Sequence, residues 1–213
     1  MMSDDARFRQ LSKIVNVSRE TFAKISIYQN LLEKWNKSIN LVGRSTIENS
    51  WERHFLDSIQ LWPERREFGC WVDIGSGAGF PGLLIAIIAS ELRPDAKFHL
   101  VESDARKCAF LRNVSRETGV PVHVHNCRIE GFNESQADIL SARALAPLEK
   151  LLTYAEQILA PTGECLFLKG KDCDKELEKA HKHWDFKLER RPSIVQGDSS
   201  ILRIGDISRA RPA

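Results

Sequence analysis

From Ser18 onward, apolar side chains return at intervals of three and four, at Phe22, Ile25, Tyr28, Leu32, Trp35 and Ile39. That period lays them along one face of a helix. A second run, Ile47, Trp51, Phe55, Ile59 and Trp62, predicts another helix, stopped at Pro63. Each stripe needs a surface to bury against, so residues 1–69 read as a helical cap on the remainder. From Cys70 the pattern becomes one of strands alternating with helices. Residues 70–74 read as a strand, followed by a Gly-rich turn and a helix opened by Pro81. Further strands are expected at 98–102, 122–127, 138–142 and 164–169. One helix between them runs from Asp104 to Thr118 and is closed by Gly119. Another starts at Pro147, with Leu148, Leu151, Leu152, Ala155 and Leu159 on one side. This alternation predicts a parallel, doubly wound α/β sheet over residues 70–213. A last helix over 172–183 precedes apolar runs at 186–195 and 200–207, which flank Gln196-Gly197-Asp198. That is a hairpin signal, so the sheet should end in antiparallel strands.

Composition narrows the class. The chain has 213 residues, 42% hydrophobic and 28% charged, the balance of an ordinary folded chain rather than a disordered or collagenous one. The longest apolar run, residues 82–89, is far below the ~18–20 needed to cross a bilayer. Early acids, Asp4 and Asp5, and the lack of an apolar leader argue against secretion, so a soluble, cytoplasmic protein is expected. The five cysteines form no Cys-x-x-Cys pair and read as reduced, core-packed thiols. Net charge is only +2, but residues 1–69 and 161–213 each carry 11 basic and 9 acidic side chains, while 70–160 carry 9 and 11. A basic footprint would have to be assembled from the two flanks.

The chemistry concentrates in Val72-Asp73-Ile74-Gly75-Ser76-Gly77-Ala78-Gly79-Phe80-Pro81-Gly82, a strand, a glycine-rich turn and a helix start. Glycines there let a ligand approach the main chain without meeting a Cβ. Two cofactors compete. Gly77 to Gly82 fits the dinucleotide pattern G-x-G-x-x-G, with Glu102 twenty residues on. Asp73-x-Gly75-x-Gly77-x-Gly79 fits S-adenosylmethionine, whose ammonium can pair with Asp73. A pyrophosphate beside Asp73 would cost roughly 3 kcal/mol per like-charge pair at ~5 Å and a dielectric of ~20. Electrostatics therefore favours the methyl donor over NAD. Glu102 can accept from ribose hydroxyls with either cofactor. Ile129 and Glu130, after the third strand, are placed to meet an adenine edge.

Seven segments in order then resemble the glucose-inhibited division protein B family, the ribosomal small-subunit methyltransferases G. They are residues 35–41, 53–58, 73–82, 101–103, 128–130, 141–143 and 168–170. The resemblance implies a class I methyltransferase fold and transfer from S-adenosylmethionine to N7 of a guanosine in small-subunit ribosomal RNA. It carries cofactor contacts onto Gly75, Phe80, Ile129, Glu130 and Arg143, and it makes the small-subunit RNA or the 30S subunit the partner. Val42 stands where many members carry Thr, which bears on the RNA side.

Guanine N7 offers an in-plane lone pair and no proton, so in-line displacement needs no general base. Rate must come from positioning, with Arg143 and Lys169 as positioning candidates. The acceptor guanosine should be unpaired or flipped, because A-form RNA hides its N7 edge. Arg44, Arg53, His54, Lys169 and Lys171 are the candidate RNA contacts. His123 and His125 alternate on one strand, but no third ligand stands at metal-binding spacing, so no metal is expected. Two alternatives remain at this point: an assembly factor that binds cofactor and RNA without transfer, and an NAD-dependent oxidoreductase.

Overall fold

The computed structural model describes residues 2–134, 136–195 and 197–210, without the side chain of Arg44. The cap begins with α1 (Asp4–Ser12), which the apolar stripe does not announce. Its signals are polar instead. Ser3 Oγ accepts from the Ala6 N–H, and Asp4 and Asp5 sit at the positive end of the helix dipole. The first predicted stripe becomes α2 (Arg19–Asn36), capped by Ser18. Glu91 accepts from Ser18 N–H, Ser18 Oγ and Thr21 Oγ1, tying the cap to the helix beneath it.

The second stripe is not one helix. It folds as α3 (Arg44–Ile47), a π-helical turn (Trp51–Leu56), α4 (Asp57–Ile59) and α5 (Leu61–Glu64). The spacing explains the break. Ile47, Trp51, Phe55 and Ile59 recur strictly every four residues, whereas an α-helix closes a turn in about 3.6. A wider i→i+5 turn re-aligns the stripe that α geometry would let drift. Pro63 lies inside α5 rather than ending the pattern, because N–H groups of a first turn need no partner.

The sheet follows with β1 (Cys70–Ile74), α6 (Gly82–Leu92), β2 (Lys97–Glu102), α7 (Ala105–Thr118), β3 (His123–Asn126), β4 (Ala137–Arg143), α8 (Leu148–Ile158), β5 (Leu159–Lys169), α9 (Cys173–Ala180), β6 (Trp184–Pro192) and β7 (Ser200–Arg209). Strand order is β3-β2-β1-β4-β5-β7-β6. The first five strands pair in parallel, and β7 pairs antiparallel with both β5 and β6. The doubly wound sheet with an antiparallel end therefore stands as expected, with shifted boundaries. Leu159 opens β5 instead of closing α8, and a register shift against β4 absorbs the Pro161-Thr162-Gly163 turn. Helix α9 stops at Ala180, short of 183. Gln196, in the expected hairpin turn, lies outside the described residues.

One hydrophobic cluster joins the cap to α6, α7 and one sheet face, through Phe22, Ile25, Tyr28, Leu84, Ile88, Trp71 and Phe98. The other joins α8 and α9 to the opposite face. Residues 82–89 are buried all round because α6 is sandwiched between sheet and cap, which is why that helix has no polar stripe. The connection order reverses at β1, which lies between β2 and β4. The crevice over the carboxyl ends of β1 and β4 is therefore the expected ligand position.

Candidate active site

The glycine loop leaves β1 with Gly75, Gly77 and Gly79 all at positive φ, 65°, 56° and 96°. A side chain at Gly75 would meet Leu145 Cδ1 at 2.5 Å, so the loop after β4 lies directly on it. At Gly77 nothing stands closer than 3.7 Å, and that side of the loop is open. Three of the loop N–H groups are spent on the protein. Ser76 N–H donates to Val101 O, Gly79 N–H to Ser76 O, and Gly77 N–H to Glu102 Oε2 at 2.9 Å. Glu102 Oε1 accepts from Asp104 N–H, so this carboxylate braces the loop as well as facing it.

Asp73 is fully buried. In the parallel register it stands beside Ser141, whose hydroxyl donates to Asp73 Oδ1 at 2.5 Å and accepts from Trp71 Nε1 at 2.8 Å. Asp73 Oδ2 has no partner among the described residues. Burial pushes the carboxyl up to about 6, against the opposing pull of the Ser141 and Ser76 hydroxyls. Gly82 is packed against it: a Cβ there would lie 2.4 Å from Asp73 Cβ.

Phe80 is only 4% exposed, and its ring belongs to the cap. It stacks on Tyr28 at 5.3 Å and on His54 at 5.4 Å, and the Arg143 guanidinium lies 5.0 Å from its centroid. Its side chain is thus committed to packing, and the main chain is what Phe80 can offer a ligand. Arg143 ends β4, which lies inside the sheet between β1 and β5. It donates to Arg53 O at 3.2 Å and pairs with Asp57 at 3.4 Å. Ile129 and Glu130 form a 3-10 turn after β3, and the exposed Glu130 carboxylate accepts from Tyr154 Oη at 2.7 Å, which holds its proton affinity down.

A crevice of about 600 Å³ opens over the ends of β4 and β5. Arg53, His54, Lys169 and Lys171 all line it, so four of the five RNA candidates converge; the side chain of Arg44 lies outside the described residues. Two of them have surroundings that the sequence does not announce. Lys169 is 9% exposed, pairs with Glu176 at 2.6 Å and donates to Ala146 O, so it braces the loop rather than reaching outward. His54 is held down to about 3, first by burial and then by Arg143 and Arg53, so it presents a neutral ring. Arg53 and Lys171 remain exposed.

Sequence reasoning missed Tyr28, Asp57, Ser141 and Leu145. Asp57 is visible as an acid within an apolar stripe; the others depend on contacts between distant segments.

The profile of the family described as rRNA small subunit methyltransferase G matches residues 21–202. The chain belongs to that family. It is similar to the Ribosomal RNA small subunit methyltransferase G of Ruegeria sp. (strain TM1040), 47% identical over 195 residues, 92% of this chain and 95% of that protein. A relative of the same name from Paramagnetospirillum magneticum (strain ATCC 700264 / AMB-1) is 48% identical over 200 residues, 92% of this chain and 93% of its own. The fold is likewise that of a SAM dependent methyltransferase from Aquifex aeolicus, with a TM-score of 0.57 at 13% identity, covering 77% of this chain and 98% of that one.

The residues present fit the family's methyl donor, S-adenosylmethionine. The unpartnered Asp73 Oδ2 is a buried acceptor awaiting a cationic donor, and the loop is open beside Gly77. A dinucleotide would fit badly, because its pyrophosphate would come up against two carboxylates, Asp73 and Glu102.

Proposed function

We propose that the chain transfers the methyl group of S-adenosylmethionine to N7 of an unpaired guanosine in small-subunit ribosomal RNA. The observation that carries this reading is the crevice over the ends of β4 and β5, where the two titratable groups beside Arg143 are not free to serve as a base. His54 is held to about 3, and Asp57 is engaged by Arg143, Gln60 and Ser193. An acceptor with a lone pair and no proton is what such a site can use.

Bound S-adenosylmethionine supplies an electrophilic methyl group on a sulfonium centre. Asp73, Gly75, Gly77 and Gly79 would hold its amino-acid end, Glu102 its ribose, and Ile129 with Glu130 its adenine. Arg143 acts as a positioning residue: anchored to Asp57 and Arg53 O, it fixes the wall between cofactor loop and crevice. The neutral His54 ring offers a flat surface for an unstacked base, as aromatic side chains do in RNA recognition. Arg53 and Lys171 on the rim supply charge for phosphates.

Incubating 30S subunits with the protein and methyl-labelled S-adenosylmethionine, followed by nucleoside mass spectrometry, should yield 7-methylguanosine. Label on another base would overturn the acceptor. Tight cofactor binding with no transfer to subunits or free RNA would leave an assembly factor instead.

A further inference from the structure

The expectation of no metal rests on the want of a third ligand near His123 and His125, and the fold supplies it. Parallel pairing of β2 with β3 sets His99 opposite His123 and Val101 opposite His125, so three imidazoles share one face at the edge of the sheet. The segment after the 3-10 turn folds back over them. Glu134 Oε2 lies 3.1 Å from His99 Nδ1, and His125 Nε2 lies 3.0 Å from the same nitrogen.

We propose that His99, His125 and Glu134 bind a divalent transition metal of the zinc type. One donor atom from each lies within 4.8 Å of the other two. Ligands around a tetrahedral ion with bonds of ~2.0 Å stand about 3.3 Å apart, so two of the three edges are already at coordination spacing. Neighbouring rings hold the imidazoles in place. His99 stacks on His123 at 4.9 Å, and Phe132 packs edge-on to His125 at 5.0 Å. Lys97 and Arg112 add nearby positive charge, which the Glu134 carboxylate offsets. Two imidazoles and one carboxylate suit Zn²⁺, Co²⁺ or Ni²⁺ and not Mg²⁺ or Ca²⁺. Glu134 is largely exposed, so water completes the shell. The bound ion would pin the segment following Ile129 and Glu130 onto β2 and β3.

The test is calorimetric titration of the full-length, untagged protein with Zn²⁺ and with Mg²⁺. One equivalent of Zn²⁺ should bind with micromolar affinity, and Mg²⁺ should not bind. His125→Ala should weaken Zn²⁺ binding at least tenfold, and so should Glu134→Gln, an exposed change that leaves the fold intact. His183→Ala, on a distant exposed histidine, should bind as the parent does. Co²⁺ loaded into the parent should show the intense visible bands of a tetrahedral site, lost in Glu134→Gln. No Zn²⁺ binding by the parent, or equal affinity in the parent and Glu134→Gln, would overturn the assignment.

Discussion

On the proposed reading, Asp73 couples folding and cofactor binding through one proton. Below pH 3.8 its carboxyl is protonated in folded and unfolded chains alike; up to about 6 only the folded chain keeps the proton. Its contribution to stability therefore falls as pH rises through that window, by about 3 kcal/mol in all. A cationic ammonium favours the carboxylate, so affinity for S-adenosylmethionine should rise with pH through about 6. Asp73→Asn should flatten that profile and weaken binding at least tenfold at pH 7.5 without lowering the melting midpoint. Calorimetry across pH and a thermal melt check both, and an unchanged pH profile in the variant would refute the pairing. Gly82→Ala attacks the same carboxylate sterically, since its Cβ would sit 2.4 Å from Asp73 Cβ. Overpacking of this kind costs about 1–3 kcal/mol, so both melting point and cofactor affinity should fall. Lys169→Ala should act on stability, by about 1–3 kcal/mol, because it removes the ion pair with Glu176 and leaves the Ala146 carbonyl without its donor. An unaltered melting midpoint would return Lys169 to the RNA contacts.

At the scale of elements, the cap works as a strut against the glycine loop. Tyr28 on α2 is fully buried, and its hydroxyl donates to Ala78 O inside the loop. Tyr28→Phe keeps the stack on Phe80 but leaves that carbonyl unpaired, a loss of about 1–3 kcal/mol. Hydrogen exchange should quicken at residues 75–80 and cofactor affinity should fall several-fold; unchanged exchange there would show that the loop stands without the strut. Which elements the sequence discloses follows from range. The strands, the glycine loop and α7 with its Gly119 cap are local patterns, and all are legible. The π-helical turn is half legible, since the stripe is visible but its strict four-residue spacing reads as α. The partners of Asp73, Arg143 and Lys169 lie 68, 86 and 7 residues away along the chain, and for the first two no periodicity encodes such a meeting. Lys169 misleads for a different reason: a charged side chain after a strand looks solvated until its partner on α9 is seen. The neutrality of His54 is illegible in the sequence for a related reason, since it comes from burial that only the packed cap provides.

Across the whole molecule, charge is gathered from both ends of the chain. Arg53 belongs to the cap and Lys171 follows β5, yet both rim one crevice. The double variant Arg53→Ala with Lys171→Ala should bind ribosomal RNA about tenfold more weakly. Its log–log salt slope should become shallower by about 2, one counterion per phosphate contact. Cofactor affinity should hold, because Arg143 bonds to the backbone carbonyl of Arg53, which alanine retains. Filter binding over a salt series reads both quantities, and an unchanged slope would place the phosphates elsewhere. The strand order carries a further consequence. β7 is the last strand along the chain, yet it is wedged between β5 and β6. A nascent chain emerging from its ribosome must therefore hold β5, with its apolar Leu166, Phe167 and Leu168, as an unsealed border until residues 200–209 arrive. During that interval the border can recruit a strand from a neighbouring nascent chain, so interrupted translation before Ser200 should yield inclusion bodies rather than a trimmed, working enzyme.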